Sequence, residues 1–291
     1  MDEIQVLAHR FEENRTHLSA VAYRMLGSTS EAEDAVQEGW LRLSRAETSE
    51  VQNLRGWLTT VVGRVCLDML RSRKARREDP LEVHVPDPIV REVDGTDPEN
   101  EAVLGDSVGL ALLVVLDTLT PAERLAFVLH DMFALSFDEI APIADRTPAA
   151  TRQLASRARR RVQGSGPAPE TDPTRQREVV EAFMTASRGG RFDDLLALLD
   201  PDIVLRADRG ADGSDMVRGA RAVGEQALTF SRFAPFGRLA LVNGTPGVVT
   251  APDGKTFSVM AFTVAAGKIV RIDILADPVR LQRLGISPGD A

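Results

Sequence analysis

The chain has one cysteine, one tyrosine, two tryptophans and four histidines among its 291 residues. A lone Cys66 excludes an intramolecular disulfide and leaves no cysteine cluster for a metal. It sits in an apolar helical run, which predicts a core thiol rather than a redox sensor. All four histidines (His9, His17, His84 and His130) precede residue 170, so the last 120 or so residues offer no imidazole for acid–base chemistry. No apolar run approaches the ~20 residues needed to span a bilayer. The opening MDEIQVLAHRFEENR is charged where a secretory leader is apolar. These absences predict a cytoplasmic protein with no membrane partner, metal or cofactor.

Net positive charge is missing as well: 35 basic residues face 43 acidic ones, for a net charge of −8. That total argues against nucleic acid, but its distribution argues the other way. Glu78 to Asp117 holds 11 acidic residues and one basic residue, Arg91. Basic residues cluster on either side, as RSRKARR at Arg71–Arg77 and as five arginines between Arg152 and Arg161. A localised basic stripe is the electrostatic footprint of nucleic-acid binding.

The most informative stretch is LSFDEIAPIADRTPAATRQLASRARRR, residues 135–161. A first helix begins at Leu135, with Ser136 and Glu139 spaced as a capping box. Ala144-Asp145-Arg146 forms a turn. Thr147 caps a second helix and Pro148 fills its first position, where a missing N–H costs nothing. On that helix Thr151, Leu154, Ala155, Ala158 and Val162 share a face, opposite Ala149, Arg152, Gln153, Ser156, Arg159 and Arg160. A small apolar back with an Arg/Gln/Ser front suits the major groove, where Arg reads guanine and Gln reads adenine. Pro142 inside the first helix predicts a kink, at ~3 kcal/mol if nothing compensates.

Elsewhere residues 4–77 carry helical periodicity, broken at Gly27 and by a polar loop ending at Asn53. Ser30 and Glu33 are spaced as a capping box for a helix whose apolar positions are Ala32, Val36, Trp40, Leu41 and Leu43. Trp57 to Leu70 forms an apolar helix running into RSRKARR. Residues 78–100, with four prolines and many acids, read as an extended linker. A helical block resumes near Glu101, and Thr120 to Glu123 restarts a helix. After a second linker at Gly164–Pro173, two amphipathic helices (Arg175–Ser187, Phe192–Leu199) precede strand-like runs at 203–205, 238–243, 247–250, 256–264 and 268–275. Asp253-Gly254 and Ala266-Gly267 are hairpin signals. The expected fold is multidomain: two all-α domains, then an α+β domain with a mostly antiparallel sheet. The expected boundaries are 1–77, an acidic linker 78–105, 106–164, a linker 165–173, and 174–291.

These motifs, in this order, resemble the extracytoplasmic-function sigma factors of the sigma-70 family, in the SigJ-like subgroup that carries a SnoaL-like extension. AEDAVQEGWLRL (Ala32–Leu43) is similar to the family's polymerase-clamp helix, and GWLTTVVGRVCLDMLRSRKARRE (Gly56–Glu78) to its −10 segment. LDTLTPAERLAFVLHDMFALSFDEIA and the following helix resemble sigma domain 4. LVNGTPGVVT, GKIVRIDIL and DPVRLQRL resemble the extension. The resemblance implies RNA polymerase core (clamp and flap) and promoter DNA as partners. It places core-polymerase contacts at Glu33, Asp34, Gln37 and Glu38. It places −10 contacts at Arg55, Trp57, Arg64, Arg71, Arg73, Lys74, Arg76 and Arg77, with Trp57 equally suited to stacking a base or filling the core. Contacts to the −35 element fall on Thr151, Arg152, Gln153, Ser156, Arg157, Arg159 and Arg160. The acidic linker would thread the polymerase cleft and RNA exit path, where a polyanion mimics RNA.

The chain departs from the subgroup in places. His84-Val85-Pro86-Asp87-Pro88 stands for Trp-Leu-Pro-Glu-Pro, Asp208-Arg209-Gly210-Ala211 stands for Asp-Gly-Gly-Gly, and Ala276 replaces an asparagine. The motifs implied to couple the extension to the sigma core make Pro86, Asp87, Pro88, Asp208 and Gly210 regulatory candidates. SnoaL-like folds also serve as cyclases and isomerases. Here only Asp208 and Asp273 are tempting carboxylates, which favours a regulatory module holding a small apolar ligand over catalysis. Two other readings remain open: a ligand-responsive helix-turn-helix repressor, and a small-molecule cyclase or isomerase acting through the C-terminal domain.

Overall fold

The computed structural model describes residues 3–46, 53–75, 83–91, 109–164 and 166–286. They fall into two compact units, one spanning Met1–Asp79 and Val115–Ser165, the other Pro80–Val114 and Gly166–Ala291.

In the first unit α1 (Glu3–Leu26), α2 (Thr29–Leu43) and α3 (Leu54–Ala75) pack on one another. Phe11, Leu18, Val21 and Met25 of α1, Ala35 and Val36 of α2 and Leu58, Val62 and Leu67 of α3 are buried in its core. Gly27, at φ 70°, ends α1 in the left-handed conformation that glycine adopts without strain. Burial pushes the Cys66 thiol up to about 12, so it stays a protonated core group. Two expectations for α2 are corrected. Its cap is Ser28, whose side chain makes no capping bond, and not Ser30. Leu41 is exposed, because Ala35 and Gly39 supply the packing face instead.

From α4 (Leu110–Asp117) the chain enters α5 (Pro121–Phe127), a π-helical turn at Val128–Met132, α6 (Phe137–Ala144) and α7 (Pro148–Gln163). α6 continues through Pro142 for two more residues before ending, and Pro142 is exposed. α3 packs against both α5 and α6.

The second unit is built on a seven-stranded sheet ordered β1-β4-β5-β6-β7-β2-β3. The strands are β1 (Val90–Arg91), β2 (Leu199–Asp208), β3 (Ser214–Arg218), β4 (Gly237–Val242), β5 (Thr245–Thr250), β6 (Ser258–Ala265) and β7 (Lys268–Leu275). All neighbours pair antiparallel except β2 and β7, which are parallel. Ala266-Gly267 turns β6 into β7, as the sequence signal predicts. α8 (Pro173–Arg188), α9 (Phe192–Leu198) and α10 (Ala220–Thr229) close over a core of Val180, Phe183, Leu195, Ile203, Leu205 and Phe262. α11 (Pro278–Arg283) follows β7. β1, β3 and α10 are absent from the sequence reading. β1 lies in the segment read as a linker: residues 83–91 are extended, but they lie on this unit and add a strand to its edge.

Candidate nucleic-acid interface and a clasp on the second unit

The helix-turn-helix is held by its end chemistry. Ser136 and Glu139 form the complete capping box at the start of α6. Asp145 takes the left-handed turn conformation at φ 54°. Thr147 Oγ1 accepts from Ala150 N at 3.2 Å to cap α7, with Pro148 in the first turn. Ala155 and Ala158 are fully buried beneath α7. Arg152, Gln153, Ser156, Arg157 and Arg160 are exposed on the opposite side.

Contacts within the unit restrict Arg152 and Arg159 on that face, and burial removes Thr151 from the expected DNA contacts, in line with its place on the apolar side. The Arg152 guanidinium lies 5.2 Å over the Phe137 ring, which itself stacks on His130 at 3.9 Å. That cation–π contact limits the freedom of the guanidinium. Arg159 is tied to Asp131 at 2.6 Å. Thr151, expected among the DNA contacts, is fully buried and its hydroxyl donates to Thr147 O at 3.0 Å. It therefore seats the helix and does not face the groove. At the far end Arg161 reaches Glu123 at 3.1 Å, fixing α7 against α5.

At the start of α3, Asn53 Oδ1 accepts from Gly56 N at 2.9 Å. Arg55 donates to His17 Nδ1 at 2.9 Å, and His17 Nε2 meets Thr59 Oγ1 at 3.0 Å. Burial, with Arg55 and Arg24 adding to it, lowers His17 to about 4, so the imidazole stays neutral and accepts from Arg55. Trp57 is half-buried. Arg64 and Arg71 are exposed and lie 3.2 Å and 3.9 Å from the Asp145 carboxylate. Exposed pairs of this kind contribute only ~0–1 kcal/mol, so both remain available to a stronger anion. Arg73 is turned inward onto Glu31 and the Leu26 carbonyl, whereas Lys74 is exposed. Arg76 and Arg77 lie outside the described residues. On α2, Glu33, Asp34 and Gln37 are exposed, and Glu38 pairs with Arg42 at 2.9 Å.

The structure brings the dispersed candidates Asp87 and Asp208 together, 121 residues apart in sequence, through Arg280. Its guanidinium donates to Asp87 Oδ1 at 2.6 Å, to Asp208 Oδ2 at 2.8 Å and to the Val85 carbonyl at 2.7 Å. Both carboxylates are buried. Asp208 also accepts from Val85 N at 3.1 Å and Gly210 N at 3.0 Å, with His84 Nδ1 at 3.4 Å. Burial alone raises an acid, but here His84, the two amides and Arg280 outweigh it and bring Asp208 down to about 2. Gly210 sits at φ 61°, and a Cβ there would run into the Asp277 carboxylate. Further along, Ile89 N donates to Asn243 Oδ1 at 3.0 Å. Arg280 and Asn243 escaped the sequence reading. The signals available for them were a basic residue just after the capped Asp277-Pro278 start and an Asn-Gly turn.

Asp273, the other carboxylate singled out, is buried between Arg206 and Arg271. Burial raises its pKa although the two arginines oppose this. Neither Asp208 nor Asp273 lines the cavity of the second unit, which is walled by their strand neighbours Ala207, Ile272 and Ile274.

Comparison with known proteins agrees with this architecture. Residues 10–76 match Sigma-70 region 2, and residues 109–162 match Sigma-70 region 4. The chain is 40% identical over 285 residues to the ECF RNA polymerase sigma factor SigJ of Mycobacterium tuberculosis, covering 92% of this chain and 91% of that protein. It is 38% identical over 272 residues to the probable ECF RNA polymerase sigma factor SigI of the same species, covering 93% of each. The crystal structure of M. tuberculosis SigJ superposes with a TM-score of 0.76 at 38% identity, covering 94% of this chain and 98% of that one. An exposed, arginine-rich recognition helix on a helical unit that matches both sigma regions is thus joined to an α+β unit like that of SigJ, and the chain belongs to the extracytoplasmic-function sigma factors of the sigma-70 family.

Proposed function

We propose that the chain directs RNA polymerase core to specific promoters through two surfaces and that its α+β unit tunes this activity. The observation that carries the reading is the capped helix α7, which holds Arg152, Gln153 and Ser156 outward in a chain with both sigma regions. In this reading residues 1–77 act as sigma domain 2 and residues 106–164 as sigma domain 4, with the acidic 78–105 between them. Glu33, Asp34, Gln37 and Glu38 offer carboxylates and an amide to a basic clamp surface. Arg55, Trp57, Arg64, Arg71 and Lys74 meet the −10 region, where phosphate contacts position the duplex and a stacking plane receives an unpaired base. Arg152, Gln153 and Ser156 read the −35 major groove, flanked by Arg157 and Arg160 on phosphates. Residues 174–291 act as the regulatory module. Pro86, Asp87 and Pro88 hold the linker to it through the clasp at Asp208 and Gly210, and a small apolar ligand in its cavity is the effector. The protein works in the cytoplasm, where the polymerase is, and binding rather than catalysis is the task of the third domain.

The test is footprinting of duplex promoter DNA by the polymerase core with and without this protein. Protection of two segments near −10 and −35 that depends on the protein supports the reading. Protection by the protein alone, unaffected by core, would instead favour the stand-alone repressor.

A further inference from the structure

The cavity of the second unit has a volume of about 330 Å³, within the range of small-molecule sites and roughly ten water volumes. Its wall is mainly apolar and aromatic, with Phe183, Phe230, Phe233 and Phe257 among the lining residues. Phe233 and Phe257 stack at 4.5 Å, and Phe257 and Phe230 are substantially exposed. Soluble proteins seldom leave such rings open to water without a use for them.

The polar groups of the wall narrow the choice of occupant. Two ionisable residues line it, Arg209 and Asp212, and they are of opposite sign. Arg209 already pairs with Asp215 at 2.7 Å and sits 5.9 Å over Phe230. Arg209 is therefore already committed to an acid and Asp212 is exposed to water, so neither charge is held inside the cavity for a ligand, and desolvating a charged ligand against these rings is costly. The remaining polar atoms are mostly hydroxyls. Thr250 and Ser258 face each other across β5 and β6. Ser187, on α8, is 7% exposed, and its hydroxyl has no hydrogen-bond partner among the described residues. A buried hydroxyl without a partner is costly, and a ligand atom that completes the bond recovers that cost.

We propose that this cavity binds a neutral, largely apolar molecule carrying one hydroxyl or carbonyl, and that Ser187 Oγ is the group that recognises that oxygen. The inference rests on the reading of the cavity as an effector site and names the chemistry of the effector. It does not depend on the sigma-factor assignment. The wall also borders the clasp: Ala207 and Arg209 flank Asp208, and Pro278 follows Asp277.

The test uses the full chain and three aromatic probes. N-phenyl-1-naphthylamine, a neutral fluorophore that brightens in apolar surroundings, reports occupancy. 2-Naphthol and naphthalene compete it off, and they differ by one hydroxyl. Saturable 1:1 fluorescence is expected, lost at least tenfold in Ala227→Trp or Met184→Trp, which fill the cavity from different helices. Circular dichroism identifies which variant folds. Ser187→Ala is expected to weaken 2-naphthol about five- to tenfold and leave naphthalene unchanged. Because it deletes an unpaired hydroxyl, it should not lower the Tm of the free protein. Unsaturable fluorescence, or fluorescence indifferent to filling, would overturn the effector site itself. Saturable binding with equal loss of both competitors, no loss of either, or a lowered Tm in Ser187→Ala would overturn the recognition role of Ser187 alone.

Discussion

Arg280 is a single guanidinium serving two buried carboxylates, Asp87 and Asp208, and the Val85 carbonyl. Removing one member of such a set leaves charge buried without compensation, which typically costs 3–5 kcal/mol. Arg283 remains 3.5 Å from Asp87, so the lower end applies. Arg280→Ala is expected to destabilise the α+β unit by about 3 kcal/mol, read as a lower calorimetric midpoint. His17 makes a prediction near neutral pH. Its folded pKa of about 4 lies below the 6.5 of an ordinary imidazole, so folding favours the neutral ring. That contribution is complete above pH ~6.5 and is lost as pH falls toward 4. The thermal midpoint of the helical unit should therefore drop across this window, and His17→Gln should flatten the drop; equal slopes in both proteins would refute it. At the DNA face, Arg152→Ala should cost ~1–3 kcal/mol at one −35 base pair. Uniform loss across all sequences would make Arg152 a phosphate contact. Asp87, Asp208 and Gly210 of the clasp were named from the family resemblance, but Arg280, which joins them, was not legible, because it lies 193 residues from Asp87 and 72 from Asp208. No local pattern encodes such a pairing.

Among the elements, legibility followed strength of local signal. α5, α6 and α7 carry side-chain caps, and the capped turn between α6 and α7 was readable residue by residue. The cap of α7 carries a quantitative expectation. Thr147→Ala should cost about 1 kcal/mol in the stability of the helical unit, measured by denaturant unfolding. Values near zero would mean that the packing of Ala155 and Ala158, not the cap, holds the helix. The same spacing rule misled at Ser30, where a Ser-x-x-Glu pattern two residues past the cap, within the first turn, mimics a capping box. Thr151 failed for another reason: spacing put it on the apolar face, whereas family resemblance put it among the contacts, and burial decided for the former. β1 and β3 were invisible because two and five residues give no periodicity to read. Composition marked residues 83–91 correctly as extended, but only the tertiary partners Asp208, Arg280 and Asn243 determine that they lie on the sheet.

At the scale of the whole molecule, a chain with net charge −8 concentrates its excess of acid in residues 78–117, 11 acidic against one basic, between the basic clusters at Arg71–Arg77 and Arg152–Arg161. In the helical unit α3 packs on α5 and α6, and its exposed Arg64 and Arg71 reach Asp145 in the turn before α7. Stronger anions displace such pairs readily. The α+β unit takes up the described part of the acidic segment with buried ion pairs that are far harder to break. In the function proposed above, promoter binding draws on the labile contacts and regulation on the firm ones. The central claim is that the chain confers promoter specificity on RNA polymerase. Run-off transcription tests it most directly, with the full chain and core polymerase on DNA from upstream of its own coding sequence. The account predicts a discrete transcript that appears only with the protein and weakens with Arg152→Ala. No transcript and no binding to core, alongside duplex binding by the protein alone, would contradict it.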